Sequence, residues 1–309
     1  MKRIQILLST YNGERYLRTQ LDSFLSLEGF EEIRVLIRDD GSTDGTRAIL
    51  KEYREKYGFD IIYGPNVGLN ASMHRLLLAA DESCDYFAYA DQDDSWLPEK
   101  IALAKEILDG ESGEAPYLYS ARSVLTDASL APTGQTVFPR KTPNFYNAMI
   151  QNVCPGHSQV FNRALLRLAR AHFSADMYVI DHWLWLTATA FGDFYLDPRA
   201  TTLYRQHGRN VIGYGSSRAE LLRNRFRQVF RDIPRRHAVQ LRAFLTLYRE
   251  HLPEDYRREA EHFLGARGFF GRLGYLLKHK TFRQGRFENL CFGILYLLGR
   301  YKIKEKKGN

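Results

Sequence analysis

Three carboxylates fall within four positions at Asp91, Asp93 and Asp94, where the run Tyr86–Trp96, YFAYADQDDSW, passes from aromatic and small residues into acid. Carboxylates so close repel one another and sit together at low cost only when something positive lies between them. Alternate acids at the end of a strand form a claw for a hard divalent cation, and the diphosphate of a sugar nucleotide would complete its coordination shell. The plain alternative is a solvated acidic turn that caps a helix starting at Pro98, with Asp94 or Ser95 as N-cap. A lone Asp-x-Asp is too short to decide between these readings, so the surrounding elements must.

Three further polar loops follow apolar runs in the same manner. Ile4–Leu8 breaks into Ser9-Thr10-Tyr11-Asn12-Gly13 and then into Tyr16, Leu17, Leu21, Phe24 and Leu25 at helical spacing. Ile33–Ile37 ends in the polar run from Asp39 to Thr46, after which Ala48, Ile49, Leu50 and Tyr53 mark a second helix. Ile61–Tyr63 leads through Gly64-Pro65-Asn66-Val67-Gly68 into a helix carrying Met73, Leu76, Leu77 and Ala80, and the fourth strand stops at Asp91. Strands alternating with helices through short loops predict an α/β fold with a mostly parallel sheet covered by helices. All four loops then share the rim at the carboxyl ends of the strands, where such sheets bind ligands. The first loop lacks GxGxxG and GxxxxGK[ST] occurs nowhere, which disfavours a Rossmann dehydrogenase and a P-loop enzyme.

Beyond Pro116 the pattern loosens. Tyr117–Val124 reads as a strand and Thr126–Pro143 as a long loop able to border a substrate. The run NVCPGHSQVFNR at 152–163 passes from a Pro-Gly turn into a short strand and then a basic helix, Ala164–Ala171. Tyr178–Phe191 reads as a helix with Asp181 in its first turn, and Thr201–Arg205 as a β-prone run.

With 309 residues, 44% hydrophobic and 26% charged, the chain suits one large domain with an appendage or two modest domains, and its composition is that of a globular protein rather than an extensively disordered one. Cys84, Cys154 and Cys291 are widely separated without CxxC or metal-ligand spacing, which predicts a reducing compartment and no disulfide framework. No run approaches the roughly 20 apolar residues of a spanning helix, and Met1–Leu8 is too short for a signal peptide. The expected location is cytoplasmic or on a membrane face.

Net charge is +8 but unevenly placed: residues 218–309 hold 22 Lys and Arg against 9 Asp and Glu, and residues 1–217 hold 22 against 27. The acidic part, 1–217, is expected to carry the metal site and catalysis. The basic part, 218–309, repeats Leu221, Leu222, Phe226, Val229 and Phe230 among arginines, opens another helix at Pro234 through Tyr248, and continues with Phe269–Leu277 and Phe287–Tyr301. That predicts a C-terminal helical appendage with basic and apolar faces, suited to anionic lipid headgroups or nucleic acid. Nucleic acid is disfavoured, because the basic residues accompany Phe, Leu and Tyr in amphipathic runs and no recognised nucleic-acid motif occurs.

STYNGERYL at 9–17, DDGSTDGT at 39–46, NVG at 66–68 and DQDDSW at 91–96 together resemble the family-two inverting glycosyltransferases of the glycosyltransferase A fold. The resemblance covers roughly residues 3–214. DQDD with PGHSQVFNR, the Asp-x-Trp at 181–183 and YRQHGRN at 204–210 look most like bacterial rhamnosyltransferases of cell-wall or surface polysaccharide synthesis. The resemblance implies that Thr10, Tyr11, Asn12, Glu14, Asn66 and Gly68 border the nucleotide and that Asp40, with Asp39, accepts the N3–H of uracil or thymine. It places Asp91, Gln92, Arg205 and His207 on the nucleotide sugar, and Asp91, Asp93 and His207 on Mg2+ or Mn2+. Asp181 becomes the general base that takes the acceptor hydroxyl's proton, with Gly156, His157 and Trp183 on the acceptor side. Family members often read His-Asp-Trp-Trp where this chain reads Ile180-Asp181-His182-Trp183, so the acid keeps its register while its neighbours change. The implied partners are a dTDP- or UDP-sugar donor, a lipid-linked glycan acceptor, the inner face of the cell membrane and a second copy of the chain. The alternative specificity is a UDP-hexose or UDP-N-acetylhexosamine donor.

Overall fold

The computed structural model describes residues 2–171, 174, 176–207 and 233–303. The chain divides into two compact units, one of residues 1–138, 154–173 and 192–213 and the other of 139–153, 174–191 and 214–309. The boundary expected near 217, the helix expected at Leu221–Phe230 and the GRN of YRQHGRN lie outside the described residues.

The first unit holds the sheet. β1 (Ile4–Thr10) pairs in parallel with β2 (Ile33–Asp39) and β4 (Tyr86–Ala90), and β2 with β3 (Asp60–Tyr63). Every residue of β1 and β4 is buried, as continuous apolar runs must be when helices cover both faces. Thr10 pairs with Asp39, Asp39 with Tyr63 and Leu8 with Ala90, so the four strands end level and their loops leave from one edge. The helices between them are α1 (Leu17–Leu25), α2 (Thr46–Tyr57) and α3 (Leu69–Ala79). Gly58, at φ 70°, closes α2 in the left-handed conformation that glycine adopts without strain.

After β4 the sheet turns mixed. β8 (Gln159–Asn162) runs antiparallel to both β4 and β6 (Tyr117–Thr126), and β9 (Asp193–Arg205) runs parallel to β6. The helix expected at Pro98 begins instead at Lys100 (α4, Lys100–Leu108) with Glu99 at its N-cap. Ser95 and Trp96 do not cap it; they form β5 and pair antiparallel with β9. Nor is 126–143 all loop. Asp127 Oδ1 accepts from the backbone N–H of Ser129 at 2.8 Å and Ala131 at 3.0 Å, and this turn folds β7 (Pro132–Gln135) back on β6. The strand read at 201–205 extends back to Asp193, because β6 offers it a partner along that length. The unit also holds α6 (Arg163–Ala171).

The second unit is helical. It contains α5 (Phe145–Ala148), α7 (Ile180–Phe191), α8 (Ile233–Tyr248), α9 (Glu254–Gly265), α10 (Gly268–Leu276) and α11 (Arg286–Leu297). Rings fill its core: Phe145 stacks on Tyr256 with centroids 4.6 Å apart, Trp183 meets Phe244 edge-on at 5.2 Å, and Tyr275 lies 4.8 Å from Tyr296. The fold is thus the α/β arrangement expected, a sheet covered by helices with further helices at the C-terminal end; its first four strands are parallel as expected and the later ones make it mixed.

Candidate active site

Side chains that the motifs share lace the rim of the sheet together. Gln92 Oε1 accepts from Thr10 Oγ1 at 2.6 Å and from the Tyr11 N–H at 2.9 Å, which ties the loop after β4 to the loop after β1. A Cβ at Gly13 would stand 2.5 Å from that same Oε1 and 2.8 Å from Thr10 Oγ1, so a side chain there would push the Gln92 amide out of its place. Asn12, at φ 48°, donates its N–H to Ser42 Oγ and accepts from the Thr43 N–H at 2.8 Å. Glu14 Oε2 accepts from the Gly45 N–H at 2.9 Å. These bonds join the first loop to the second and leave the Tyr11 ring exposed on the rim.

Asp39 and Asp40 are both buried. Asp39 accepts from the Ser42 N–H and from Arg47 Nε at 2.8 Å. The two oxygens of Asp40 accept from the backbone N–H groups of Val67 and Gly68, each at 2.9 Å, and Oδ1 also takes Arg38. Arg38, itself buried, continues to Ser72 Oγ and the Pro65 carbonyl. Asn66 accepts from the Gly68 N–H at 3.2 Å, and Gly68 holds φ 82°. Asp40 therefore braces the third loop in this structure, with Arg38 as its buried counter-charge, while the Asp39 carboxylate holds the Ser42 amide and Arg47. Sequence reasoning passed over Arg38, which follows the apolar run Val35–Ile37 and directly precedes the acid pair Asp39-Asp40; a cation in that place is the signal that could have found it.

The acid cluster lies at the end of β4. His207 Nε2 is 2.7 Å from Asp93 Oδ2, and its ring stacks on Tyr16 with centroids 5.0 Å apart. Arg205 donates Nε to the Asp93 carbonyl at 2.8 Å and its backbone N–H to Asp94 Oδ1 at 3.0 Å, with its guanidinium 4.5 Å above Tyr16. Asp94 is fully buried, and its Oδ2 has no hydrogen-bond partner among the described residues. His157 Nδ1 stands 4.0 Å from that Oδ2 and 3.8 Å from Asp91 Oδ2, while its Nε2 is 2.8 Å from Ser123 Oγ. Its ring stacks on Tyr204 at 4.2 Å. Beneath them Lys100, buried outright, donates to the His157 carbonyl at 3.0 Å and Thr202 Oγ1 at 2.9 Å, with Nζ 4.5 Å from the Trp96 ring.

Burial governs the electrostatics. It raises the Asp94 carboxyl well above its ordinary value, reinforced by Asp91 and Asp93 and opposed by the Arg205 amide and Lys100. It lowers Lys100 to about 7 against the pull of Asp94. Burial and then the Lys100 charge take His157 down to about 3, so its imidazole is neutral and offers a lone pair.

Asp91, Asp94 and His157 can each present one ligand atom with all three within 4.8 Å of one another. Two carboxylates and a neutral imidazole, one oxygen of them buried without a partner, fit a divalent cation such as Mg2+ or Mn2+. The sequence set was Asp91, Asp93 and His207. The structure brings Asp93 and His207 together and groups Asp91 with Asp94 and His157 instead. His157, read as an acceptor contact beside Gly156, therefore stands among the acids, and Asp94, counted with the three acids but left out of the metal set, joins Asp91 there.

Asp181 belongs to the helical unit. It is the one residue from 180 to 190 of α7 that is not buried, and its Oδ1 accepts from the His182 N–H at 2.7 Å. Trp183 is wholly buried against Phe244 and Tyr248, so its ring is a core residue of that unit. Among the described residues no helix is long and apolar enough to cross a membrane, and Cys84, Cys154 and Cys291 form no disulfide.

A sequence model described as glycosyl transferase family 2 matches residues 5–167. The dTDP-rhamnosyl transferase RfbG of Shigella flexneri is 28% identical over 71% of this chain and 80% of its own length. Abequosyltransferase RfbV of Salmonella typhimurium is 32% identical over 35% of this chain and 33% of its own. Among solved structures, S. aureus TarS superposes with a TM-score of 0.58 at 19% identity, covering 90% of this chain and 46% of TarS. TarS residues 1–349 in complex with UDP-GlcNAc gives 0.56 at 18% identity, covering 97% and 81%. At such identity the two TarS structures speak to the fold.

Proposed function

The chain belongs to glycosyl transferase family 2, and on that premise we propose that it moves L-rhamnose from dTDP-rhamnose, with inversion, to a hydroxyl of a lipid-linked glycan in cell-wall or surface polysaccharide synthesis. The observation that carries the reading is the buried Asp94 carboxylate, unpartnered at Oδ2 and facing Asp91 and His157 at the carboxyl edge of the parallel strands. The similarity to the Shigella dTDP-rhamnosyl transferase supports the choice of donor. Asp91 with Asp93 and His207, backed by Asp94 and His157, would hold a divalent cation, which when bound neutralises charge on the departing diphosphate.

The rim loops bind and orient the donor: Tyr11 offers an exposed ring for the base, and the braced amides of the second and third loops shape its edge. Asp181 acts as the general base. As the acceptor oxygen attacks the anomeric carbon, the hydroxyl proton passes to the Asp181 carboxylate, the new C–O bond forms, and the bond to the nucleoside diphosphate breaks on the opposite face. The acceptor would be met at the inner face of the cell membrane.

A thermal-shift screen with dTDP-rhamnose, UDP-glucose, UDP-galactose and UDP-N-acetylglucosamine, with and without Mn2+, tests the reading. We expect dTDP-rhamnose to stabilise the chain only with the cation, by about 2.7 kcal/mol at a hundredfold excess over Kd, and Asp93→Ala to abolish the shift. Stabilisation by a UDP-sugar alone replaces the donor; no response to any nucleotide sugar sinks the proposal.

A further inference from the structure

Helix α11 is apolar on two opposite faces. Phe292 and Tyr296 are 2% exposed and pack with Phe263, centroids 6.4 and 5.1 Å away, inside the helical unit. Phe287, Leu290, Ile294 and Leu298, spaced three or four residues apart, form a second stripe, with Leu290 61% and Leu298 71% exposed. On α10 the Phe269–Phe270 pair behaves likewise, Phe270 being 83% exposed, and Leu277 follows just past its end. A helix apolar on two opposite faces is built for two apolar surroundings, of which the unit itself supplies one.

The charges around this stripe choose its occupant. Residues 262–303 carry eight Lys and Arg and a single acid, Glu288. Glu288 is half-buried and lies 3.8 Å from Arg283, whereas Arg267, Lys278, Lys280, Arg286, Arg300 and Lys302 are all exposed at or beyond the helix ends. Two copies meeting on this face would bring basic residues against basic residues. An anionic bilayer answers both features, taking apolar side chains below its headgroups and cations at them.

We propose that the exposed stripe of α11, with Phe269, Phe270 and Leu277, is a membrane-docking face that inserts into the interface of an anionic lipid bilayer. This deepens the reading of a lipid-linked acceptor by assigning the surface that meets the lipid, and it rests on that reading for nothing but its purpose. The composition of residues 218–309 pointed to lipid, but it mixed Phe292, which is core, with Leu290 and Leu298, which are not.

Co-sedimentation with phosphatidylglycerol-containing vesicles and with neutral phosphatidylcholine vesicles, without donor or acceptor, tests the face independently of any transfer activity. The full chain should pellet with the anionic vesicles at low salt and be released by added salt. The variant Phe270→Ser, Leu290→Ser, Leu298→Ser should lower the partition coefficient by about tenfold or more while its thermal midpoint holds. A full chain that stays in the supernatant with anionic vesicles at low salt overturns the proposal, as does a triple variant that pellets as well as the parent. A lipid-free dimer that the triple variant dissociates also overturns it and makes the face a subunit interface. Should vesicle binding hold while no nucleotide sugar binds, the docking face stands and the transferase specificity falls.

Discussion

The two units handle buried polar groups in different ways. Beneath the rim of the sheet unit the chain keeps charge: Arg38 is paired with Asp40, and Lys100 lies under Asp94 with no carboxylate in direct contact among the described residues. The helical unit buries one carboxylate, Glu259, on the Tyr275 and Thr281 hydroxyls and the Lys280 amide rather than on a cation, and its buried histidines are neutral, as His157 is in the sheet unit. His182 Nε2 is 2.6 Å from the Ala148 carbonyl and must be the donor there, and its ring lies 4.9 Å from that of His237. Burial drives His182 to about 4 and His237 well below its ordinary value, with Arg283 pressing both the same way. The proposed cation and diphosphate would gain from charges held away from water, since these act there through a low dielectric. A unit that packs rings has no such use for charge and keeps its histidines deprotonated.

The sharpest way to break that contrast is at Asp181, the partly exposed acid on the otherwise buried face of α7. Asp181→Asn keeps the shape and removes the basicity, so turnover should fall by roughly 10²-fold or more while donor-induced thermal shifts persist. If donor binding is lost and turnover at saturation is kept, the helical unit supplies no chemistry and the contrast is complete.

Lys100→Met probes the sheet unit. Removing the buried cation leaves the Asp94 carboxylate without its neighbouring charge and should cost about 3 kcal/mol in urea unfolding. A loss below about 0.5 kcal/mol would mean that Asp94 is already neutral and that the charge beneath the rim is not a working pair.

The third test uses the slope of stability with pH. A histidine whose folded pKa is lowered leaves the unfolded chain holding more protons between about 6.5 and 4, so stability is present above that window and is lost as pH falls through it. For His182 alone the loss is about 3 kcal/mol, because its Nδ1 has no partner to receive a second proton. His182→Gln keeps a donor for the Ala148 carbonyl and does not titrate, so its unfolding free energy should fall less steeply over that window. Asp94 contributes with the opposite sign: its raised pKa leaves the folded chain holding the extra proton above 3.8, so that contribution declines as pH rises. Equal slopes in parent and His182→Gln would show that the helical unit's histidines are not held neutral by burial.

Much of the sheet was legible because its signals are local. The strand at Ile4, the turn from Asp39 to Thr46 and the helix from Pro234 to Tyr248 announce themselves by apolar periodicity and by Gly, Asn and Asp at turns. The acid cluster was legible as a type of chemistry for the same reason, being four adjacent positions. Its membership was not. For Asp94 the sequence left a cap open beside a place in the cluster, until the Arg205 amide, 111 residues away, claimed its Oδ1 and β9 drew Ser95 and Trp96 into the sheet. Lys100 gave no sign, since a lysine opening a helix is ordinarily solvated. The C-terminal helices were readable as apolar and basic, but not which apolar stripe faces inward.

By itself, then, the sequence determined the alternation of the first four strands with their helices, the level rim of loops and the acids that stand on it, because each depends on neighbours within a few residues and on the pairing of apolar faces. Only the tertiary structure decided that His157 joins Asp91 and Asp94, that Lys100 is sealed beneath them, that residues 139–153 and 174–191 pack with the C-terminal helices, and that Leu290 is exposed where Phe292 is not. Those outcomes depend on which distant segments displace water from one another, and the free energy of that choice is a property of the packed whole.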